Sequence, residues 1–275
     1  MTTVLVTGAS TGIGSATAKR LAAKEIVVWA GVRDPASIAE LDRLGNHELR
    51  PIELELTDRE SIGRAFTRIA AEGGLDAVVN NAGIGIPGPL ELLTDEELRE
   101  QLEVNLIGQL AVTRAALPLL RESDEPRIVF VSSAGGRVAF PFAGAYSASK
   151  FALEAAAEAL RNELGAEGIV VTLVEPASIS TPIWDKGLAR LDALRERPRA
   201  EIYAERLDEF ADVLRDQDEG GADPDSVAET IERALASSRP SARYPVGVAA
   251  QVGTRLRAFV PDRVFDAVAS RIPRP

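Results

Sequence analysis

Tyr146 and Lys150 stand four residues apart, a spacing that brings both side chains onto one face of a helix. A phenol, with a pKa of about 10, is a poor base at neutral pH, but a neighbouring ammonium favours the phenolate and makes the pair a usable general acid/base. Isolated, a tyrosine and lysine at this spacing read better as an ordinary exposed pair. Two features argue otherwise here: the pair opens a helical stretch, and the apolar run Ile128-Val129-Phe130-Val131 ahead of it ends in Ser132 and Ser133. A second candidate site lies near the start. Thr7-Gly8-Ala9-Ser10-Thr11-Gly12-Ile13-Gly14 follows Val4-Leu5-Val6 and opens a helix, where glycines permit a tight turn and the helix N-terminus favours a pyrophosphate.

Gly8-Ala9-Ser10-Thr11-Gly12 also matches G-x-S-x-G, the turn that carries a hydrolase nucleophile. That reading lacks its base. Such an enzyme places its histidine after the serine and acid and its elbow after several strands, whereas this turn follows the first strand, and the one histidine, His47, sits in the polar run Gly45-Asn46-His47-Glu48, a solvated surface setting. There is no cysteine, so disulfides, thiolate nucleophiles and thiolate metal sites are excluded, and no metal site is expected.

The elements that must position these residues follow an alternating pattern. Short β-branched runs near 3–7, 26–30, 49–54, 75–80, 127–132, 169–175 and 242–246 read as strands, separated by amphipathic stretches near 12–24, 36–44, 58–71, 95–120, 146–165 and 225–237. This predicts an α/β fold, a doubly wound parallel sheet of seven strands with helices on both faces, whose ligands bind beyond the carboxyl ends of the strands. Residues 182–222 break the rhythm. Tyr203, Leu207, Phe210 and Leu214 recur there at helical spacing, which predicts an inserted helical lid. The whole of 1–275 is read as a single nucleotide-binding domain with a C-terminal tail from about 248.

Composition narrows the partners. With 45% apolar and 27% charged residues the chain can bury a large core, and a net charge of −11 offers no basic field for nucleic acid. No basic leader or bilayer-length apolar run is present, so the expectation is a cytoplasmic protein without a membrane span.

In motif and order the chain resembles the short-chain dehydrogenase/reductase family. Thr7 to Gly14 matches its T-G-x-x-x-G-I-G loop, Asn80-Asn81-Ala82-Gly83 its N-N-A-G, and Tyr146 to Lys150 its Y-x-x-S-K, with Asn105 and Ser133 completing the set over roughly residues 3–181. The resemblance implies a Rossmann-type oxidoreductase exchanging hydride between a nicotinamide and a carbonyl or secondary alcohol. In it Tyr146 would donate or remove the proton and Ser133 would bind the reacting oxygen. Lys150 would hold the nicotinamide ribose and lower the tyrosine pKa, and Asn105 would help hold a relay water. Gly8, Ser10, Thr11, Gly12, Ile13 and Gly14, with Asn81, Ala82 and Gly83, would contact the cofactor, while Asn80 would be structural. The family's Pro-Gly after the sixth strand is here Pro176-Ala177, a departure that adds a methyl group; Ile179 and Thr181 match positions that bind the nicotinamide amide. A homo-oligomer is also implied, formed largely through the helices near 95–120 and 146–165. A non-catalytic redox sensor on the same fold is the alternative, disfavoured because the catalytic tyrosine and lysine are both present.

Strand 2 ends Gly31-Val32-Arg33-Asp34. An arginine at this place suits the 2′-phosphate of NADP(H), whereas an acidic residue suits the ribose of NAD(H). Arg33 favours NADP(H). Asp34 leaves NAD(H) open, unless it caps the following turn. The resemblance implies that Glu55 and Leu56 lie beside the adenine, where relatives often have an aspartate in place of the glutamate. Ile84, Ile86, Pro87, Val138, Phe140, Phe142, Ile183 and Trp184 are candidates for an apolar substrate pocket or for ordinary core, and the tail from Arg243 resembles the hydroxysteroid and retinol dehydrogenase-like branch, implying a lipophilic substrate.

Overall fold

The computed structural model describes residues 3–34, 36–37, 47–248, 250–251, 257 and 259–269. Seven strands, β1 (Thr3–Thr7), β2 (Val27–Val32), β3 (Leu49–Glu53), β4 (Ala77–Asn80), β5 (Arg127–Val131), β6 (Val170–Pro176) and β7 (Arg243–Val246), form one sheet in the order β3-β2-β1-β4-β5-β6-β7. Every pairing is parallel. The inner strands are almost continuously apolar because both faces are covered, whereas the edge strands β3 and β7 carry Arg50, Glu53 and Arg243. Even-numbered Val4, Val6, Val28 and Ala30 pack under α1 (Gly12–Ala22) and a helix near the end of the chain, Pro224–Ala236. Leu5, Trp29, Val78, Ile128 and Phe130 pack on the opposite face, under α2 (Arg59–Ala71) and two further helices. β1 winds outward to β2 and β3, then the chain returns to place β4 on the other side of β1. The crevice beyond the ends of β1 and β4 is therefore the topological switch point.

Local chemistry sets the helix starts. Asp58 accepts from Glu60 N to cap α2, and Thr94 with Glu97 forms a capping box on α3 (Asp95–Leu102). The single helix expected over 95–120 is interrupted: a π-helical turn, Glu103–Gly108, separates α3 from α4 (Gln109–Leu120). α5 (Gly144–Leu164) carries Tyr146 in its first turn, and the stretch expected as a lid forms α6 (Ile183–Leu194) and α7 (Ala204–Glu219) before α8 (Pro224–Ala236). The tail contributes α9 (Asp262–Ala269). Of the helix expected over 36–44 only 36–37 falls within the described residues, as does only part of the tail from 248, and the side chain of Val268 is outside them.

α6 and α7 close a third apolar cluster, in which Leu191, Leu194, Leu207 and Phe210 pack on Ile86 and Phe142. Ion pairs bind this layer to the segment around α3: Arg190 with Glu100 at 2.6 Å, Arg197 with Glu97 at 2.7 Å, and Arg199 with Glu91. Among the described residues no helix is long and apolar enough to cross a membrane.

Candidate active site

The glycine loop is shaped by close approach. Gly8 (φ +66°) and Gly12 (φ +54°) adopt left-handed conformations that disfavour side chains. A Cβ on Gly14 would lie 2.2 Å from the Gly8 carbonyl oxygen, and one on Gly8 would lie 2.9 Å from Ala82 Cα. Thr7 Oγ1 accepts from Asn81 N (2.9 Å) and Ala82 N (3.0 Å), locking the end of β1 to the end of β4. Asn81 Nδ2 donates to Thr7 O at 2.9 Å, so this side chain also shapes the loop. At the start of α1, Thr11 makes no side-chain cap, which leaves first-turn N–H groups without a side-chain acceptor, with Ser10 and Thr11 exposed. These features fit a dinucleotide pyrophosphate: backbone donors at a helix N-terminus, and glycines that keep side chains out of its path. Thr181 lies over Gly12, with Cγ2 3.0 Å from where a Cβ would stand, and Ile13 packs half-buried against the core.

At the outer edge of β2, Arg33 is 77% exposed in its side chain and its Nε lies 3.8 Å from Glu55 Oε2. Asp34 Oδ1 accepts from Ala36 N at 2.9 Å, so this carboxylate caps the following turn. Leu56 is buried beneath Gly108 with its side chain in the core. At the end of β6, Ala177 N donates to Val246 O at 2.9 Å. The methyl at the family's usual glycine position is met by Gly247, whose own Cβ would stand 3.2 Å from it. Ile179 is buried and its carbonyl accepts from Trp184 Nε1 at 2.7 Å.

The serine, tyrosine and lysine converge at the ends of β5 and β4. Ser133 follows β5 and caps a 3₁₀ turn, accepting from Gly135 N at 3.0 Å, so its own O–H remains available as a donor. Gly135 is packed against the tyrosine ring. A Cβ there would lie 3.2 Å from Tyr146 Cε1 and 3.4 Å from Ser133 Oγ. Burial raises the Tyr146 phenol above its ordinary pKa, and the neighbour that lowers it is the Ser133 hydroxyl. This departs from the expected lowering by Lys150. The lysine Nζ lies 5.9 Å from the ring centre and donates to Val131 O at 2.9 Å, and burial pushes its own pKa down to about 8.

Behind this cluster three amide side chains hold the loop after β4, of which the sequence reading singled out one. Asn105 Oδ1 accepts from Ile84 N (2.8 Å), and its Nδ2 donates to Ile84 O (2.9 Å) and to Ser149 Oγ (3.0 Å), which donates in turn to Tyr146 O (2.7 Å). Gln101 accepts from Ile86 N (2.7 Å) and donates to Ile84 O (2.8 Å), and Gln109 donates to Ala82 O (2.8 Å). All three are fully buried. Their four-residue spacing, in one row with Glu97 and Thr113, was the available signal. The π-helical turn lies within this row, where such turns accommodate a functional side chain. The Asn105 side chain thereby positions the loop and, through Ser149, the start of α5, with one acceptor site of Oδ1 left over.

At the substrate end, Ile183 and Tyr146 flank the same side of Gly85, within 3.7 and 4.0 Å of where its Cβ would be. Ile86, Val138 and Phe142 are buried, and Ile86 and Phe142 belong to the cluster under the lid, with Trp184 packed against it. A recess of about 340 Å³ opens beside them, lined by Leu90, Phe140 and Phe142 with Tyr203 and Arg206 at its rim. His47 is exposed. Among the described residues no cluster of ligands could hold a metal.

This architecture defines a Rossmann-type fold with a glycine cradle at the switch point of its sheet and a serine, tyrosine and lysine beside it, beyond the end of β5. A family model described as short chain dehydrogenase matches residues 2–191. The chain is 43% identical to the 3-amino-tetrahydro-pyrrolizinone reductase of Xenorhabdus hominickii over 188 residues, 67% of this chain and 64% of that relative, so the match spans somewhat less than two thirds of it. It is 31% identical to the NADPH-dependent 3-dehydrocapnine reductase of Ornithobacterium rhinotracheale, over 96% of this chain and 94% of the relative. A short-chain dehydrogenase structure from Streptomyces avermitilis superposes with a TM-score of 0.80 at 29% identity, covering 98% of this chain and 97% of that one. The chain belongs to the short-chain dehydrogenase family and is an oxidoreductase.

Proposed function

We propose that the protein transfers hydride between NADP(H) and a lipophilic carbonyl or secondary alcohol, with Tyr146 moving the proton. The observation that carries this reading is the meeting of Tyr146 and Ser133 across Gly135, one turn of α5 from the buried Lys150. A bound nicotinamide would supply the hydride in reduction and accept it in oxidation. The remaining work falls to the chain. The Ser133 O–H donates to the substrate oxygen, and Tyr146 Oη gives that oxygen its proton in reduction or takes it in oxidation. Lys150, anchored at Val131 O, keeps two N–H bonds for the ribose hydroxyls. The cradle of Gly8, Gly12, Gly14, Ala82 and Gly83 would hold the pyrophosphate end, and Ile179 and Thr181 the amide end.

Arg33 supports the NADP(H) preference: it is exposed at the end of β2 while the competing Asp34 carboxylate is occupied by a backbone N–H. A relative matched over 94% of its length is named as NADPH-dependent. Ile183, which flanks Gly85 on the same side as Tyr146, puts an apolar side chain near the reacting oxygen and supports a substrate with hydrocarbon bulk. Calorimetric titration with NADPH and NADH, followed by a screen of lipophilic ketones at the NADPH absorbance, tests the reading. Selective NADPH binding that is lost in Arg33→Ala, with NADH binding little changed, is the expected result. Equal losses for both cofactors would return the discriminating role to Asp34, and no binding of either would overturn the assignment of the glycine cradle.

A further inference from the structure

One turn of α5 beyond Lys150, Glu154 points into a second buried group of charges that the chemistry above does not use. Glu154 is 5% exposed and Glu175, near the end of β6, is 2% exposed. Both converge on one guanidinium: Arg243 Nε donates to Glu175 Oε1 and Arg243 Nη2 to Glu154 Oε2, each at 3.0 Å. Gly136 is what lets the helix come this close, since a Cβ on it would lie 2.8 Å from Ser132 Oγ and 3.1 Å from Glu154 Cγ.

The remaining charges facing the pair come from every element around it. Arg137, beyond β5, lies 3.6 Å from Glu175 Oε1; Glu158 shares Arg243 Nη2 at 3.3 Å; Arg161 donates to Val171 O at 3.1 Å. Arg243 therefore divides its donors among three carboxylates, and Glu154 Oε1, also buried, has no donor among the described residues. Two buried carboxylates meeting over one shared cation favour protonation of one of them, because the second negative charge is desolvated and repelled by the first. The Glu175 carboxyl is accordingly held above its ordinary pKa, by burial first and by the Glu154 charge second.

We propose that Glu154 and Glu175 share one proton across the Arg243 guanidinium, and that the single negative charge left on the pair is a positioning device that keeps the buried Lys150 ammonium charged. The proton on Glu175 supplies the donor that Glu154 Oε1 lacks. Glu154, at i+4 from Lys150 on the same buried helix face, opposes the desolvation that drives the lysine towards its neutral form. Neither carboxylate is among the groups proposed above to contact substrate or cofactor. This inference rests on the proposed role of Lys150, but the shared proton can be read without turnover.

Carboxyl-carbon NMR of the full chain labelled with 13C-glutamate provides that reading. One carboxyl resonance should titrate near neutral pH in the wild type, be absent from Glu175→Gln, and titrate at distinctly lower pH in Glu154→Gln, where the burial of Glu175 remains but the repelling charge is gone. If every glutamate titrates below about pH 5.5, within the range of ordinary carboxylates, the shared proton is refuted. The second measurement is the pH profile of kcat/KM. Glu154→Gln should move the alkaline limb down by about one pH unit, Glu154→Asp should recover part of the shift, and Glu175→Gln, whose amide N–H replaces the shared proton, should move it much less. A uniform loss across pH with the limb in place would make Glu154 merely structural and overturn its action on Lys150. A neutral-titrating carboxyl in a protein that turns over no ketone would count against the proposed function, leaving the proton pair intact.

Discussion

The phenol of Tyr146 is the group on which the chemistry turns, and its surroundings are mixed. Burial raises its pKa while Ser133 pulls it back, so the protein alone keeps the side chain protonated and hydrogen-bonded, the state needed to donate in reduction. Removing only the hydroxyl should spare packing, since the ring contacts on Gly135 remain. Tyr146→Phe is therefore expected to bind cofactor with wild-type affinity and to lose about 10²–10⁴-fold in kcat, the usual contribution of a positioned general acid. Stopped-flow turnover beside calorimetric binding checks both halves. Turnover close to the wild-type rate would remove Tyr146 from its role.

The helical segment of α3, the π turn and α4 has a task that its amphipathic pattern alone does not reveal. Gln101, Asn105 and Gln109 satisfy backbone groups of residues 82–86 that would otherwise be buried without partners. Gln101→Ala strands Ile86 N and removes one of the two donors on Ile84 O. Leaving a buried polar group unpaired costs about 1–3 kcal/mol, so the melting temperature should fall by several degrees. Because this loop flanks Tyr146, KM for substrate should rise as well. An unchanged melting temperature would mean that solvent replaces the glutamine. The amide row was legible only in part: spacing marks the three residues, but in sequence they continue a polar row with Glu97 and Thr113 that reads as a solvated helix face, and only the packed loop supplies the backbone groups they serve.

Across the whole molecule, α6 and α7 are tied to the body by carboxylates whose pKa values lie below the ordinary range. Hydrogen bonds from Arg197 to Glu97, from Arg190 to Glu100, and from Tyr203 and then Arg199 to Glu91 are the leading causes. A carboxylate with a depressed folded pKa stabilises the fold at pH values above the unfolded value of 4.5, and that contribution is lost as pH falls through the lowered pKa. The sheet is held mainly by apolar burial and backbone ladders, which do not titrate. Acidification to below about pH 4 should therefore release hydrogen-exchange protection over residues 183–219 before it does so in β1, β4 and β5. Simultaneous loss in the lid and the sheet would show that the ion pairs do not set the lid's stability.

By itself, the sequence determined the alternation of strands and helices, all seven strands, the glycine turn after β1 and the chemical types at Ser133, Tyr146 and Lys150, because periodicity and turn chemistry are local properties. Its reading of Ile86, Phe142 and Trp184 stayed open between pocket and core. The tertiary structure decided for packing under the lid, since burial depends on what a distant segment places on top. It also decided that Asn81 ties loops together, that Asp34 caps its own turn beside an exposed Arg33, and that Glu154, Glu175 and Arg243 meet. These last three residues come from one helix and two strands, up to 89 positions apart. Desolvation and charge coupling arise only when the folded sheet brings such distant groups within hydrogen-bond distance and takes water away from them.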